Sequence, residues 1–275
     1  MPYKRFYSNG KLLLTAEYLV LDGAKALALP TKFGQDLVVK KISSPKIIWQ
    51  SFNEKNNIWF ESEFDINTLK TTKPDQDIQA TKTLQKILKE ALELTSKDDI
   101  KNILPPKNGL QISTHLTFSK NWGLGTSSTL INNIAKLFKI DAFILLQNSF
   151  GGSGYDIACA ENSSPILFQL NNEKTIIEPI DFNPSFKDQL YFVHLNKKKN
   201  SGVAIKKYRP IDDNIAAVAD EISKLTDKFL SAKDIKTFEI AMIQHERIIS
   251  NVIKEKPIQR VLFSDYFGHT KSLGA

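Results

Sequence analysis

Residues 119 to 128 read Ser119-Lys120-Asn121-Trp122-Gly123-Leu124-Gly125-Thr126-Ser127-Ser128, and these residue types suit the binding of a phosphate. Two glycines remove side chains where a ligand must approach the backbone, and they permit positive φ. Thr126 and Ser127 can cap a following helix and still present hydroxyls. A helix start supplies N–H donors without intrahelical acceptors and a partial positive charge, which together suit an anion. Hydroxyls beside those donors also suit Mg²⁺, which prefers hard oxygen ligands. Taken alone, the same residues describe an ordinary capped turn, since glycine and hydroxyl residues are common turn chemistry. A Walker loop, Gly-x-x-x-x-Gly-Lys-Ser/Thr, occurs nowhere in the chain. The Rossmann fingerprint fails at Ser128, where its third glycine would stand.

A second candidate is Asp156, which follows Gly151-Gly152-Ser153-Gly154-Tyr155. A flexible backbone there can bring a helix start close to a substrate. A carboxylate so placed can orient an acceptor hydroxyl and take its proton during phosphoryl transfer. In isolation an aspartate at this point also reads as a helix cap. Cys159 lies on the same helix face and reads as a packed small residue, since no histidine neighbours it in sequence. His115, His194, His245 and His269 show no metal-ligand spacing. Trp122 reads as a packing residue.

The elements that must hold these residues follow from periodicity. Tyr3 to Tyr7 and Lys11 to Leu14 read as strands around an Asn9-Gly10 turn, and Glu17 to Asp22 as a short helical piece closed by Gly23. Ala26 to Pro30, Asp36 to Ile42, Ile47 to Trp49 and Ile58 to Phe60 read as further strands. The spacing predicts a helix over Asp77 to Leu94, and the alternation from Leu110 to Phe118 a half-buried strand. Helices are then expected after the Gly123 loop, between residues 140 and 150, and from Asp156. Gln189 to Leu195 reads as a strand. Two long amphipathic helices follow, the first capped by Asp212 and burying Ile215, Val218, Ala219, Ile222, Leu225 and Phe229. The second would bury Ile235, Phe238, Met242, Ile249 and Val252. The class is α+β.

With its neighbours in place, Gly123-Leu124-Gly125-Thr126-Ser127-Ser128 resembles the Gly-Leu-Gly-Ser-Ser-Ala phosphate loop of the GHMP kinases (galactokinase, homoserine kinase, mevalonate kinase, phosphomevalonate kinase). The stretch from Gly10-Lys11-Leu12 through Ala16-Glu17-Tyr18 to Asp22-Gly23 is similar to the family's N-terminal motif, above all in the mevalonate-pathway branch. Gly152-Ser153-Gly154-Tyr155-Asp156 is similar to that branch's Ser-Gly-x-Asp segment.

The resemblance implies a two-domain fold. Residues 1–180 would form an ATP-binding domain like ribosomal protein S5 domain 2, and residues 181–275 a ferredoxin-like domain, with the boundary near 170 to 188. It implies ATP and Mg²⁺ as cofactors, with phosphates on Gly123, Leu124, Gly125, Thr126, Ser127 and Ser128 and the metal at Ser127. Asp156 becomes the catalytic carboxylate and Lys11 its partner, stabilising the transferring oxygens. Glu17, Tyr18, Ser153 and Gly154 would contact the acceptor, and Tyr18 tilts that acceptor toward phosphomevalonate. The mevalonate kinases carry a Mg²⁺-binding glutamate one helix before the aspartate. Here Phe143 to Phe150 contains no acid, leaving Gln147, Asn148 or Ser127 to assist. His269-Thr270-Lys271-Ser272-Leu273-Gly274-Ala275 resembles the start of the third motif, Lys-x-x-Gly-Ala-Gly-x-Gly-Gly, which is expected to continue beyond this point. The implied reaction is phosphorylation of mevalonate or phosphomevalonate. A sugar or amino-acid alcohol as acceptor, or a catalytically silent nucleotide-binding homologue, are the other readings.

Bulk composition fits that picture. The chain has 275 residues, 41% hydrophobic, enough for one or two domains with a sizeable core. A single cysteine excludes an internal disulfide framework and suits a reducing, cytoplasmic setting. No apolar run reaches membrane-spanning length, and the N-terminus has no signal-peptide centre. The net charge of +7 is spread thinly, mostly as lysine, with its densest cluster at Lys197-Lys198-Lys199. This reads as a solvated surface rather than a nucleic-acid or membrane face. The expected partners are ATP and a small molecule, with the chain a monomer or homodimer.

Overall fold

A computed structural model describes residues 3–73, 77–105, 108–171, 174–195, 208 and 214–273. Expectations for Lys197–Lys199, Asp212 and Gly274–Ala275 lie outside these residues. The chain divides into two compact units, Met1–Gly10 with Thr31–Glu161, and Lys11–Pro30 with Asn162–Ala275.

The first unit lays helices on a mixed sheet. Strands β1 (Lys4–Leu13) and β2 (Ala26–Ile42) enter it from one side of the sequence, followed by β3 (Lys46–Phe52), β4 (Ile58–Asp65) and β5 (Gly109–Leu116). Their order is β4-β3-β5-β2, with β1 paired to β2. Ile112 anchors the register, lying opposite Val39 in antiparallel β2 and Trp49 in parallel β3. Its neighbours on that face are buried, as the alternation from Leu110 requires. Helices α1 (Ile78–Leu94), α2 (Lys97–Ile103), α3 (Thr126–Phe138), α4 (Ala142–Ser149) and α5 (Tyr155–Glu161) complete the unit. Asp77 caps α1 by accepting the Ala80 amide at 2.9 Å. The apolar face of α1 (Leu84, Ile87, Leu88, Ala91) meets Trp49, Phe64 and Phe138 in one core.

Two strand readings are corrected. Asn9-Gly10 is no turn, because β1 runs through it. Glycine is needed at position 10 for close approach: a Cβ there would lie 2.7 Å from Thr31 Oγ1 and 2.8 Å from the Leu124 carbonyl. The segments 26–30 and 36–42 are one strand of 17 residues. Pro30 falls between the part paired with β6 and the part paired with β5, so neither ladder needs its missing N–H.

In the second unit the first residues of β2 pair with β6 (Ile166–Gln169), which pairs with β7 (Ile176–Pro179). A short 3₁₀ turn, Leu19–Asp22, ends at Gly23 in the left-handed conformation. Helices α6 (Ile215–Ser231), α7 (Ile235–Ile253) and α8 (Ile258–Leu262) follow. Their core joins Leu14, Leu27, Phe186, Phe229 and Phe238. Ala219, Ile222, Leu225 and Phe229 are buried as their spacing predicts, whereas Ile215 and Val218 are half-buried. Residues 189–195 form no strand. A 3₁₀ turn ends at Gln189, and Tyr191, Phe192 and Val193 beyond it are exposed, so alternation there serves no buried face. Strand β7 has no comparable signal in the sequence. No described helix is long and apolar enough to cross a membrane.

Candidate functional site

The Gly123 loop ends where α3 begins. Gly123 and Gly125 have φ of 75° and 86°, the left-handed region that side chains disfavour. A Cβ on Gly123 would meet nothing within 4 Å, so that glycine faces open space. Gly125 is itself the N-cap of α3, and no side chain caps the helix. This corrects the expectation that Thr126 and Ser127 do so, since both lie in the first turn. The amides of that turn have no intrahelical acceptors and keep their partial positive charge for an anion. The hydroxyls divide their work. Ser128 is buried and donates to the Gly125 carbonyl at 2.9 Å, while Ser127 is exposed. Trp122 is 44% exposed and packs edge-on against Phe33 with ring centroids 5.6 Å apart, so it is a surface residue and no part of the core.

What fixes α3 is a buried polar network that the sequence reading missed. Ser8 donates to Asn133 Oδ1 at 2.8 Å and accepts from Asn132 Nδ2 at 3.0 Å. Asn133 Nδ2 donates to the Gln35 carbonyl at 2.9 Å, and Thr129 Oγ1 to Gln35 Oε1 at 2.8 Å. Thr129, Asn132 and Asn133 are fully buried. These bonds tie α3 to β1 and β2, with Asn132 Oδ1 the one buried side-chain atom among these residues that has no hydrogen-bond partner, and buried networks hold geometry because each partner is costly to orphan.

Asp156 sits in the first turn of α5, half-buried, with its Oδ1 accepting the Ile157 amide at 3.1 Å. Three glycines precede it with φ of 73°, 109° and 89° at Gly151, Gly152 and Gly154. Only Gly154 is tightly packed: a Cβ there would lie 2.9 Å from the Phe143 ring. Gln147 donates to the Gly152 carbonyl at 2.8 Å and so supports this turn. Helices α3 and α5 pack together, which places the Gly123 loop and Asp156 on neighbouring elements of one unit. Ser153 is half-buried in the same turn. Cys159 is buried. Among the described residues no cluster of three acids, histidines or cysteines could cage a metal. Histidine 115 instead pairs with Asp36 at 2.8 Å.

Lys11, Glu17 and Tyr18 belong to the second unit. Lys11 is half-buried on β1. Ala16 and Tyr18 both have positive φ, 67° and 64°, a strained state for residues with side chains. Tyr18 packs against Tyr208 at 5.3 Å, and Tyr208 donates to Asp22 Oδ2 at 2.7 Å. Glu17 is 2% exposed, and its Oε1 accepts from Lys271, itself buried. Burial outweighs Lys271 and raises the Glu17 carboxyl from 4.5 to about 7. His245 accepts the Ala16 amide on Nε2 at 2.9 Å, which puts its proton on Nδ1. Burial, then the Lys271 charge, hold its pKa well below 6.5, so the ring is neutral. Its Nε2 lies 3.6 Å from Glu17 Oε2, a contact without ionic character. Glu246 accepts the Ser272 amide at 3.2 Å and the Ser272 hydroxyl at 3.0 Å.

No protein-family model and no curated protein sequence matches the chain. Solved structures do. The mevalonate kinase of Methanococcus jannaschii is 16% identical at a TM-score of 0.63, covering 100% of this chain and 88% of its own. The phosphomevalonate kinase of Streptococcus pneumoniae, in complex with phosphomevalonate and AMPPNP, is 14% identical at a TM-score of 0.62, covering 90% and 80%. The galactokinase of Lactococcus lactis, complexed with galactose, is 13% identical at a TM-score of 0.58, covering 99% and 83%. The chain therefore has the α+β fold of the GHMP kinases.

Proposed function

We propose that this chain is a GHMP kinase that moves the γ-phosphoryl group of ATP onto a hydroxyl or phosphate of a small metabolite, mevalonate or phosphomevalonate. The observation that carries the reading is the uncapped start of α3. Two left-handed glycines lead into free first-turn amides and an exposed Ser127, and α5 with Asp156 packs alongside. ATP phosphates would lie on the Gly123–Ser128 backbone, where the amides and the helix field meet their charge. Ser127 offers one hydroxyl to Mg²⁺. That donor set fits a cation that keeps waters and phosphate oxygens in preference to a protein cage. When bound, Mg²⁺ supplies charge neutralisation for the phosphates.

The chain's residues then divide the chemistry. With a hydroxyl acceptor, the bond from the γ-phosphorus to the β,γ-bridging oxygen breaks, the acceptor oxygen bonds to phosphorus, and its proton passes to Asp156. Lys11 balances charge on the transferring oxygens. Glu17, Tyr18, Ser153 and Gly154 are the proposed acceptor residues. Tyr18 in place of histidine and the acid-free helix α4 favour phosphomevalonate.

The test is Mg-ATP turnover on mevalonate, phosphomevalonate, homoserine, galactose and other sugars. One of the first two should be phosphorylated, and Asp156→Asn should cut kcat by about 10²–10⁴-fold while nucleotide affinity stays within about twofold. Full turnover in Asp156→Asn would remove that residue from the mechanism. Nucleotide binding with no transfer to any acceptor would establish a binding homologue instead.

A further inference from the structure

The second unit buries a lysine, Lys271, to which the proposed chemistry gives no role. Lys271 and Glu17 are both about 97–98% buried, and they join segments 254 residues apart in sequence. Surface pairs contribute little, but a buried carboxylate stripped of its partner is costly. The pair sits on the strained turn, between two residues of positive φ. His245 accepts the amide of one of them, Ala16, from the middle of an otherwise apolar helix face. Phe229 of α6 packs edge-on against the His245 ring at 5.9 Å, fixing its plane. Beside it Glu246 grips both the amide and the hydroxyl of Ser272. Gln259 closes the segment by accepting the Thr270 amide at 2.6 Å and donating to the Gly268 carbonyl at 3.0 Å. Backbone strain of this kind persists only where the surroundings over-determine it. Beyond the turn's own backbone bonds, from Leu19 N–H to the Glu17 carbonyl at 2.8 Å and from Val20 N–H to the Ala16 carbonyl at 2.9 Å, the side-chain hydrogen bonds to residues 16 and 17 come from His245 of α7 and from Lys271.

We propose that Lys271 and His245 are positioning residues for the turn Ala16–Tyr18, and that this turn and the segment Thr270–Ser272 order together as one clasp. Glu17 is then the anchor of the turn, and Tyr18 the residue it presents. Opening the 270–272 segment releases the turn, so acceptor affinity is set by residues at the far end of the sequence. The last statement rests on the proposed kinase reading; the clasp itself does not.

Hydrogen exchange on the unaltered full chain tests the clasp without a substrate. The amides of Ala16 and Ser272 should open together, with protection factors within about threefold of each other; values more than tenfold apart overturn the proposal. Lys271→Met should speed exchange at residues 16–19 by at least tenfold while the amides of α6 keep their protection. An equal rise in α6 would mean a purely structural role, and no rise in the turn would mean no role. If Lys271→Met does not fold, Glu17→Gln/Lys271→Met, which leaves no buried charge, is read by the same criteria. His245→Gln, whose amide oxygen can accept the Ala16 N–H, should keep that protection, and His245→Leu should lose it. In turnover assays Lys271→Met should raise the acceptor KM about tenfold at unchanged kcat. A chain that phosphorylates nothing fails the kinase reading while the exchange data still decide the clasp.

Discussion

Gly123 and Gly10 are both glycine for reasons that lead to different outcomes when changed. At Gly123 the added Cβ has room, so Gly123→Ala costs only the left-handed backbone, about 1–2 kcal/mol. That change should weaken a non-hydrolysable ATP analogue by about tenfold in isothermal titration, with the rest of the fold unaltered. At Gly10 the obstacle is the Leu124 carbonyl itself, so a side chain there would displace the Gly123 loop. Glu17 and His245 make an opposed pair of pH contributions. The folded chain holds the Glu17 proton that the unfolded chain releases, so this contribution is full below about 4.5 and is lost as pH rises to about 7. His245 stays neutral when folded, so its contribution is present above 6.5 and lost as pH falls below that value. The charged neighbours Lys271 and Glu246 and the Tyr18 phenol face the same cluster. His245→Gln removes one of the opposed pair. Its melting temperature, relative to the unaltered chain, should therefore fall between about pH 5 and pH 7, measured by calorimetry at several pH values.

At the scale of elements, α3 shows what sequence periodicity carries and what it leaves out. Its apolar residues and its glycine entry are local signals, and they place the helix correctly. Three of the four polar residues it buries, Thr129, Asn132 and Asn133, have distant partners: Ser8 lies 125 residues from Asn133, and Gln35 lies 98. On the helix alone Asn132 and Asn133 look like solvent-facing positions. His245 and Glu246 on α7 mislead in the same way, since their partners Ala16 and Ser272 come from the opposite ends of the second unit. The pattern from Gln189 to Leu195 errs in the other direction, because alternation without a ladder partner makes no strand. The α3 network gives its own prediction. Asn133→Leu takes the acceptor from the Ser8 O–H, which keeps its bond from Asn132, and the side-chain donor from the Gln35 carbonyl, and should cost about 1–3 kcal/mol. Thermal unfolding measures the loss, and the double change Ser8→Ala/Asn133→Leu should cost less than the sum of the single changes.

At the scale of the molecule, the three ordered motifs were legible because each is a short run of glycine, hydroxyl and acidic residues with local meaning, and the fold they implied is the fold observed. Compact units built from separated stretches are a different matter. The second unit takes residues 11–30 from one end of the chain and 162–275 from the other, a division that no composition shift announces. Its clasp carries that division into biosynthesis. Glu17 leaves the ribosome 254 residues before Lys271. At typical elongation rates the interval is roughly 10–50 s. For that time the nascent turn lacks its ion-pair partner, for most of it also the histidine that accepts its amide, and Glu17 remains a hydrated carboxylate. The arrival of Lys271 supplies the charged partner, so the Lys271–Glu17 contact is among the late ones to form during synthesis.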